Sequence, residues 1–225
     1  MEALQLQQDH AAQPTIRQEL TDSEPRRNEN CCILVTGLPS TVAVADSIRK
    51  VQIRQLGKIA AIQVHPPRPH IHTAAVKVTM WDGAGAHRIM RAVRTGNFGV
   101  DGHQLWAYWN RVKAFQQRRH NRSRVIQVKG HPDMVAPDVL LSWFACHFYF
   151  DMGQVLVKLS TPDTMIVEYR FGSYVKQAQS ALTLLHNTYH KAEVDCVYTD
   201  DPCEPADNDL TLAQLMSETT LAVNP

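Results

Sequence analysis

The side chains best suited to bind a ligand are two aromatic rings followed by a run of cations. Trp106 and Tyr108 are separated by one residue in LWAYW, so both stand on the same face if this segment is a β-strand. A nucleic-acid base stacks on an exposed ring with a gain of about 1–3 kcal/mol, whatever the base. Residues 110–124 follow, and their six cations and absence of acids suit contacts with phosphates. These cations are Arg111, Lys113, Arg118, Arg119, Arg122 and Arg124.

Charge is strongly polarised along the chain, although the whole chain has a net charge of only +1. Residues 31–124 contain 15 basic and 3 acidic side chains, a net charge of +12. Residues 199–225 contain 6 acidic side chains and no basic one. A region as positive as 31–124 attracts polyanions, and nucleic acid is the commonest of these inside cells. An ordinary solvated basic surface, with residues 111–123 as a soluble spacer, would also fit these numbers.

Several other classes of protein are disfavoured. The longest apolar stretch, residues 139–150, is shorter than the roughly 20 residues that a membrane-spanning helix needs. The N-terminus has no basic region followed by an apolar one, so we expect a nuclear or cytoplasmic protein with mostly free thiols. Neither the five Cys nor the histidines of residues 65–72 have convincing metal-site spacing. No catalytic arrangement is recognisable, and we predict no metal, no cofactor and no enzymatic activity.

Hydrophobic periodicity predicts the element order βαββαβ twice. In the first unit the predicted strands are CILVTGLP, KIAAIQVH, TAAVKVTM and GVDGHQLWAYW, with helices at about 44–56 and 82–94. In the second unit they are RVIQVKGHP, QVLVKL, TMIVEYRF and AEVDCVY, with helices at about 137–150 and 173–186. Equivalent residues keep a nearly constant offset, since Ile126 lies 93 residues after Ile33 and Val167 lies 91 after Val76. This regularity indicates an internal duplication.

The chain is therefore predicted to have two α+β domains and two tails. The domains span residues 31–110 (the first unit) and 124–198 (the second unit), joined by a basic linker at 111–123. Residues 1–30 have few large apolar groups and are predicted to be a disordered tail. Residues 199–225 are predicted to be a disordered acidic tail, either a solubilising segment or a pseudo-ligand for the basic linker.

This organisation resembles a pair of RNA recognition motifs (RRMs), ferredoxin-like domains whose sheet binds single-stranded RNA. The resemblance covers residues 31–198 and rests on ILVTGLP as an RNP2-like strand and on HTAAVKV and TMIVEYRF as RNP1-like strands. The sequence VDCVYTDDPCEP at the end of the second unit is similar to the RRM pairs of fungal meiosis-regulator (mei-two-like) RNA-binding proteins. The resemblance implies a non-catalytic protein whose partner is single-stranded RNA.

The sequence departs from the family at the positions that stack on bases. None of the six is aromatic: they are Leu34, Thr73 and Ala75 in the first unit and Gln127, Thr164 and Ile166 in the second. Trp106 and Tyr108 compensate in the first unit if Leu105 and Ala107 face the helices, whereas the reverse register would bury Trp106. The predicted RNA site combines the first sheet with the six linker cations. Its sheet residues are Leu34, Thr36, Thr73, Ala75, Lys77, Trp106 and Tyr108.

The second unit is predicted to be degenerate for RNA binding. Its net charge is −2, and its sheet positions are polar or aliphatic. Its helix VLLSWFACHFYF is apolar around most of its circumference, which predicts tight core packing, packing on the first unit or contact with a protein partner. The alternative function is accordingly a protein-interaction scaffold whose RRM-like domains no longer bind RNA.

Overall fold

The computed structural model describes residues 30–53, 55–98, 102–117, 121–191 and 193–204. The predicted tail up to residue 29, the linker cations Arg118 and Arg119, and residues 205–225 lie outside these ranges. Within the described ranges, no helix is long and apolar enough to cross a membrane.

The first unit is a four-stranded antiparallel sheet with two helices. Its elements are β1 (Cys32–Leu38), α1 (Val44–Ile53), β2 (Ile59–His65), β3 (Ala74–Met80), α2 (Gly83–Arg94) and β4 (Trp106–Trp109). The strands lie in the order β2-β3-β1-β4. This is the ferredoxin-like arrangement, and it confirms the predicted βαββαβ order.

Alternation of side chains places the core of this unit on one face of the sheet. In β3, every second side chain from Ala74 to Met80 is buried, and those between them are half-buried. The helix α2 begins where Asp82 caps it, because the Asp82 carboxylate accepts a hydrogen bond of 2.7 Å from the Gly85 N–H. Its buried residues, Ile89 among them, pack on the same face of the sheet.

The second unit repeats this architecture. Its elements are β5 (Val125–Gly130), α3 (Pro132–Val135), α4 (Pro137–His147), β6 (Met152–Ser160), β7 (Met165–Phe171), α5 (Gln179–Thr188) and β8 (Val194–Tyr198). The strand order β6-β7-β5-β8 is equivalent to that of the first sheet. The last helix starts later than predicted, because Lys176 has a φ of 65° and residues 174–178 form an irregular turn. The predicted tandem α+β fold is thus confirmed.

The apolar helix of the second unit is mostly explained by core packing. Leu140 and Phe144 on α4 are completely buried, and they pack on β7 side chains such as Tyr169. Aromatic residues after the helix, including Phe148 and Phe150, close the same core. Burial raises the pKa of the Tyr169 hydroxyl. Its hydrogen bond to the Val135 carbonyl, 2.9 Å long, satisfies the hydroxyl group inside this core.

The two units are joined by a direct interface along β2. The Ile62 N–H donates a hydrogen bond of 2.8 Å to the Gly172 carbonyl, and Ala61 forms an isolated β-bridge with Ser173. The rings of Trp81 and Tyr174 pack beside this bridge with their centroids 5.6 Å apart. The edge strand β2 is therefore covered by the chain that follows β7.

The segment immediately after β8 returns to the first unit. Cys203 is completely buried among the core residues of the first unit, and its carbonyl accepts a hydrogen bond of 2.9 Å from the Gly57 N–H. Asp201 is also buried. The prediction that the acidic tail begins at residue 199 is therefore wrong for residues 199–204. Cys203 completes the apolar core of the first unit, and Asp201 forms an ion pair with the buried Arg124. A count of charges along the sequence cannot detect either role.

Candidate nucleic-acid interface

The first sheet has one face packed on α1 and α2 and a second face, here called the open face, that is not covered by any helix of the described residues. Strand register arranges side chains on the open face in rows. One row runs from Tyr108 on β4 through Leu34 on β1 to Lys77 on β3. The next row contains Trp106 and its neighbours Thr36 and Ala75. The structure thus brings six of the predicted sheet residues together, and the seventh, Thr73, lies just before β3.

The two rings on β4 point to the open face. Trp106 is 46% exposed and Tyr108 is 54% exposed. The alternate side chains, Leu105 and Ala107, pack against the core of the first unit. The predicted register is confirmed, and the alternative in which Trp106 sits in the core is excluded by these contacts. Since a strand rises about 3.3 Å per residue, the two rings are rooted about 7 Å apart along β4.

Gly37 gives the Trp106 ring its place on the sheet. A Cβ atom on Gly37 would lie 2.9 Å from the Trp106 Cζ3 atom and 2.3 Å from the Gln104 carbonyl oxygen. Gly37 also has a φ of +87°, which other residues rarely adopt. The absence of a side chain therefore allows the ring to lie against the end of β1.

Part of the linker is fixed against the first unit. The Cys31 N–H donates to the Ala114 carbonyl at 2.7 Å, and the Ala114 N–H donates to the Asn30 side-chain oxygen at 3.1 Å. Farther along, the Gln117 N–H donates to the Trp81 carbonyl at 2.9 Å. Residues 110–117 are therefore bonded along the end of the sheet where β1 begins. They carry Arg111 and Lys113, both exposed, next to the open face.

The linker also exposes an aromatic ring that sequence reasoning missed. Phe115 is 54% exposed, and Val112 is 72% exposed. The signal was present in the sequence, because Phe115 stands among cations in RVKAFQQRR, a composition typical of surfaces that bind single strands. Arg122, at the other end of the linker, is exposed and donates a hydrogen bond of 2.7 Å to the Tyr174 hydroxyl.

Arg124 was predicted to bind RNA, and the structure contradicts this prediction. Its side chain is completely buried, and so is that of its partner Asp201. Two parallel hydrogen bonds join them, Nε to Oδ2 at 2.9 Å and a terminal nitrogen to Oδ1 at 2.7 Å. A further bond of 3.1 Å reaches the Phe171 carbonyl. Arg124 is a structural cation between the two units, since no phosphate can reach it.

The equivalent face of the second sheet has a different chemistry. One row contains Gln127, Glu168 and Leu156, and the next contains Lys129 and Ile166. Arg170 Nε lies 2.6 Å from Glu168 Oε1, and Lys158 Nζ lies 3.2 Å from Glu168 Oε2. Two cations of this face, Arg170 and Lys158, are thus paired with the same carboxylate, whereas Lys129 on β5 is exposed. Gln127, Thr164 and Ile166 stand where the family has stacking rings, so this face presents aliphatic and polar side chains at those positions.

No metal or thiol chemistry appears among the described residues. They contain no group of three or more His, Cys, Asp or Glu side chains that could hold a metal ion. Four of the five cysteines are buried, and only Cys146 is exposed. Burial raises the pKa of the Cys196 thiol to about 11 and that of the Cys203 thiol to about 12. At neutral pH these two thiols are therefore protonated and poorly nucleophilic.

No protein-family model matches the chain, and no curated protein matches it. Among solved structures, the chain is similar to the Sex-lethal RNA recognition domains 1 and 2 from Drosophila melanogaster. The sequence identity is 15%, the match covers 76% of this chain and 100% of that chain, and the TM-score is 0.29. A Sxl-lethal protein/RNA complex shows 14% identity, coverage of 76% and 100%, and a TM-score of 0.31. The first two RRM domains of the yeast poly(U)-binding protein show 15% identity, coverage of 75% and 99%, and a TM-score of 0.28. With scores this low, the fold assignment rests on the strand order and register of the two sheets.

Proposed function

We propose that this protein is a non-catalytic RNA-binding protein that holds single-stranded RNA on the open face of its first sheet. The observation that carries the proposal is the pair of exposed rings on β4, Trp106 and Tyr108. They stand on the open face, within a segment of net charge +12. Two adjacent bases of an extended strand stack on the two rings. The resemblance of the sequence to RRM pairs supports the same partner.

Cations around the rings supply the phosphate contacts of this proposal. Lys77 lies in the same row as Tyr108, on the opposite side of Leu34. Arg111 and Lys113 are exposed on the linker segment that is bonded to the end of the sheet. In this proposal, a strand stacked on the rings contacts both groups of cations through its phosphates. Phosphate contacts of this kind provide affinity that depends on salt and carry no sequence information.

The second unit acts in this proposal as a support and not as an RNA site. The equivalent face of its sheet has Gln127, Thr164 and Ile166 at the stacking positions, and Glu168 partly neutralises Arg170 and Lys158 beside it. Its contacts with β2 and with the buried Arg124 hold the linker and the first sheet in one arrangement. A nuclear or cytoplasmic location and a relationship to fungal meiosis-regulator RNA-binding proteins belong to the proposal as well, the latter supported only by VDCVYTDDPCEP.

Fluorescence anisotropy with a mixed pool of single-stranded RNA, at 50 mM and 200 mM salt, tests the proposal. We expect binding that is clearly tighter than a non-specific background of about 1–100 μM and that weakens as salt rises. An RNA duplex of the same length serves as the control, because its bases are not free to stack on the rings. Affinity at background level, or binding without salt dependence, would contradict the proposal.

A protein-interaction scaffold is the second candidate, and the exposed aliphatic residues of the second sheet favour it. Val157 on β6 is 52% exposed, and Val197 on β8 is 46% exposed. A scaffold keeps its partners in a pull-down from nuclease-treated lysate and shows no RNA binding by anisotropy. An RNA-binding protein shows the opposite pattern in both assays.

A further inference from the structure

A groove of about 570 Å³ runs along the outer edge of β4, beside the open face. Its walls are the C-terminal end of α2, the loop before β4 and β4 itself. The described lining residues are Val93, Arg94, Gly96, Phe98 and the continuous segment 103–108. Its volume falls within the range of about 300–1,000 Å³ that is usual for ligand sites. The proposed stacking of two bases leaves this groove unfilled.

The groove is continuous with the proposed RNA surface. Trp106 and Tyr108 stand on the open face and also line the groove. β4 is the last strand of the sheet, so nothing in the sheet separates the rings from the groove. An RNA strand that crosses the sheet towards β4 therefore enters the groove immediately after it passes the rings.

The polar groups of the groove suit a nucleotide. Arg94 lies in the last turn of α2, and both Arg94 and His103 are exposed. Arg94 is the cation among the described lining residues, and a guanidinium group binds phosphate well. Gln104 lines the groove as well, and its amide can both donate to and accept from the edge of a base. Val93 and Phe98 provide apolar surface beneath these groups.

We propose that this groove is a subsite for one further nucleotide of the RNA strand bound on the open face. Arg94 and His103 contact its phosphate, and Gln104 contacts its base. This inference rests on the proposed function, because the strand must first lie on the Trp106 and Tyr108 rings. It extends the RNA surface from the face of the sheet to the outer edge of β4.

Two charge-matched variants, Arg94→Gln and Arg91→Gln, test the subsite. Both residues lie in the last turn of α2 and are exposed, but only Arg94 lines the groove. Affinity is measured by calorimetry for a two-nucleotide RNA, which can occupy only the two rings, and for a six-nucleotide RNA, which is long enough to enter the groove as well. We expect Arg94→Gln to weaken binding of the longer RNA about tenfold, as the loss of a charged hydrogen bond does. Arg91→Gln should leave the affinity for both RNAs unchanged.

The outcomes separate the subsite from the proposed function. If the unmodified protein binds neither RNA, the proposed function fails and the subsite fails with it. If it binds RNA but the two variants behave alike, the subsite is overturned while the proposed function stands. Equal weakening of both RNAs by Arg94→Gln also overturns the subsite, because a contact beyond the rings must depend on RNA length. Circular dichroism of both variants confirms that the comparison is made between folded proteins.

Discussion

Replacing Asp201 by Ala should strongly destabilise the folded protein. Asp201 Oδ2 accepts hydrogen bonds from Arg124 Nε at 2.9 Å and from the Ile59 N–H at 3.0 Å. Its Oδ1 accepts from a second Arg124 nitrogen at 2.7 Å and from the Cys203 N–H at 3.0 Å. One carboxylate therefore connects β2, the start of β5 and the segment that follows β8.

The magnitude follows from what the substitution leaves behind. Removing one member of a buried ion pair costs about 3–5 kcal/mol, because the other charge stays buried without a partner. The Ile59 and Cys203 N–H groups also lose their acceptor, at about 1–3 kcal/mol for each group that stays buried. Since these terms share one carboxylate and are not additive, we expect a loss of at least about 4 kcal/mol in the free energy of unfolding. This is a large fraction of the stability of a typical domain.

Urea unfolding followed by circular dichroism measures this loss. Asp200→Ala is the matched control, because Asp200 is the exposed neighbour and should stay within about 0.5 kcal/mol of the unmodified protein. The same account predicts that deleting residues 199–225, which removes Asp201 and Cys203, destabilises the fold. A loss below about 1 kcal/mol for Asp201→Ala would refute the buried pair between the two units.

Two further predictions concern the rings and the buried thiols. Trp106→Ala and Tyr108→Ala should each weaken RNA binding by about 1–3 kcal/mol in an anisotropy titration with the fold intact. The control is Trp109→Ala, because the Trp109 ring packs on the helix side of the sheet against His87. This variant should leave the RNA affinity unchanged, and a loss of affinity equal to that of Trp106→Ala would contradict the stacking proposal. The pKa values of the Cys196 and Cys203 thiols are raised to about 11 and about 12 in the folded protein. Between about pH 9 and pH 12 the unfolded chain therefore releases protons that the folded protein retains, so the free energy of unfolding should fall as pH rises over this range. Urea midpoints that stay constant up to pH 11 would contradict these pKa shifts.

Sequence patterns were sufficient for the features that depend on local alternation. Trp106 and Tyr108 could be assigned to the open face because the residues that alternate with them, Leu105 and Ala107, are apolar and pack against the core. The strand order followed from the repeated βαββαβ pattern, since short connections in such a unit leave few topologies.

The contacts between the two units were not accessible to the same reasoning. Arg124 and Asp201 are 77 residues apart, and each looks like a surface charge in its own segment. Their burial depends on how the second unit packs on β2, and the hydrophobic periodicity of the sequence contains no information on that packing. The groove beside β4 likewise arises from residues 93–98 and 103–108, which come together only when α2 and β4 pack side by side.

Three of the four tryptophans of the chain provide the most direct test of the central claim, that RNA binds on the open face of the first sheet. Trp106 lies on that face, Trp81 is buried beside the second unit, and Trp143 packs in the core of the second unit. The measurement is a two-dimensional NMR titration of the indole N–H signals with a six-nucleotide single-stranded RNA, with each signal assigned by a Trp→Phe variant. The account predicts a large, saturable shift of the Trp106 signal while the Trp81 and Trp143 signals stay in place. An unmoved Trp106 signal at saturating RNA, or a shift confined to Trp143, would contradict it.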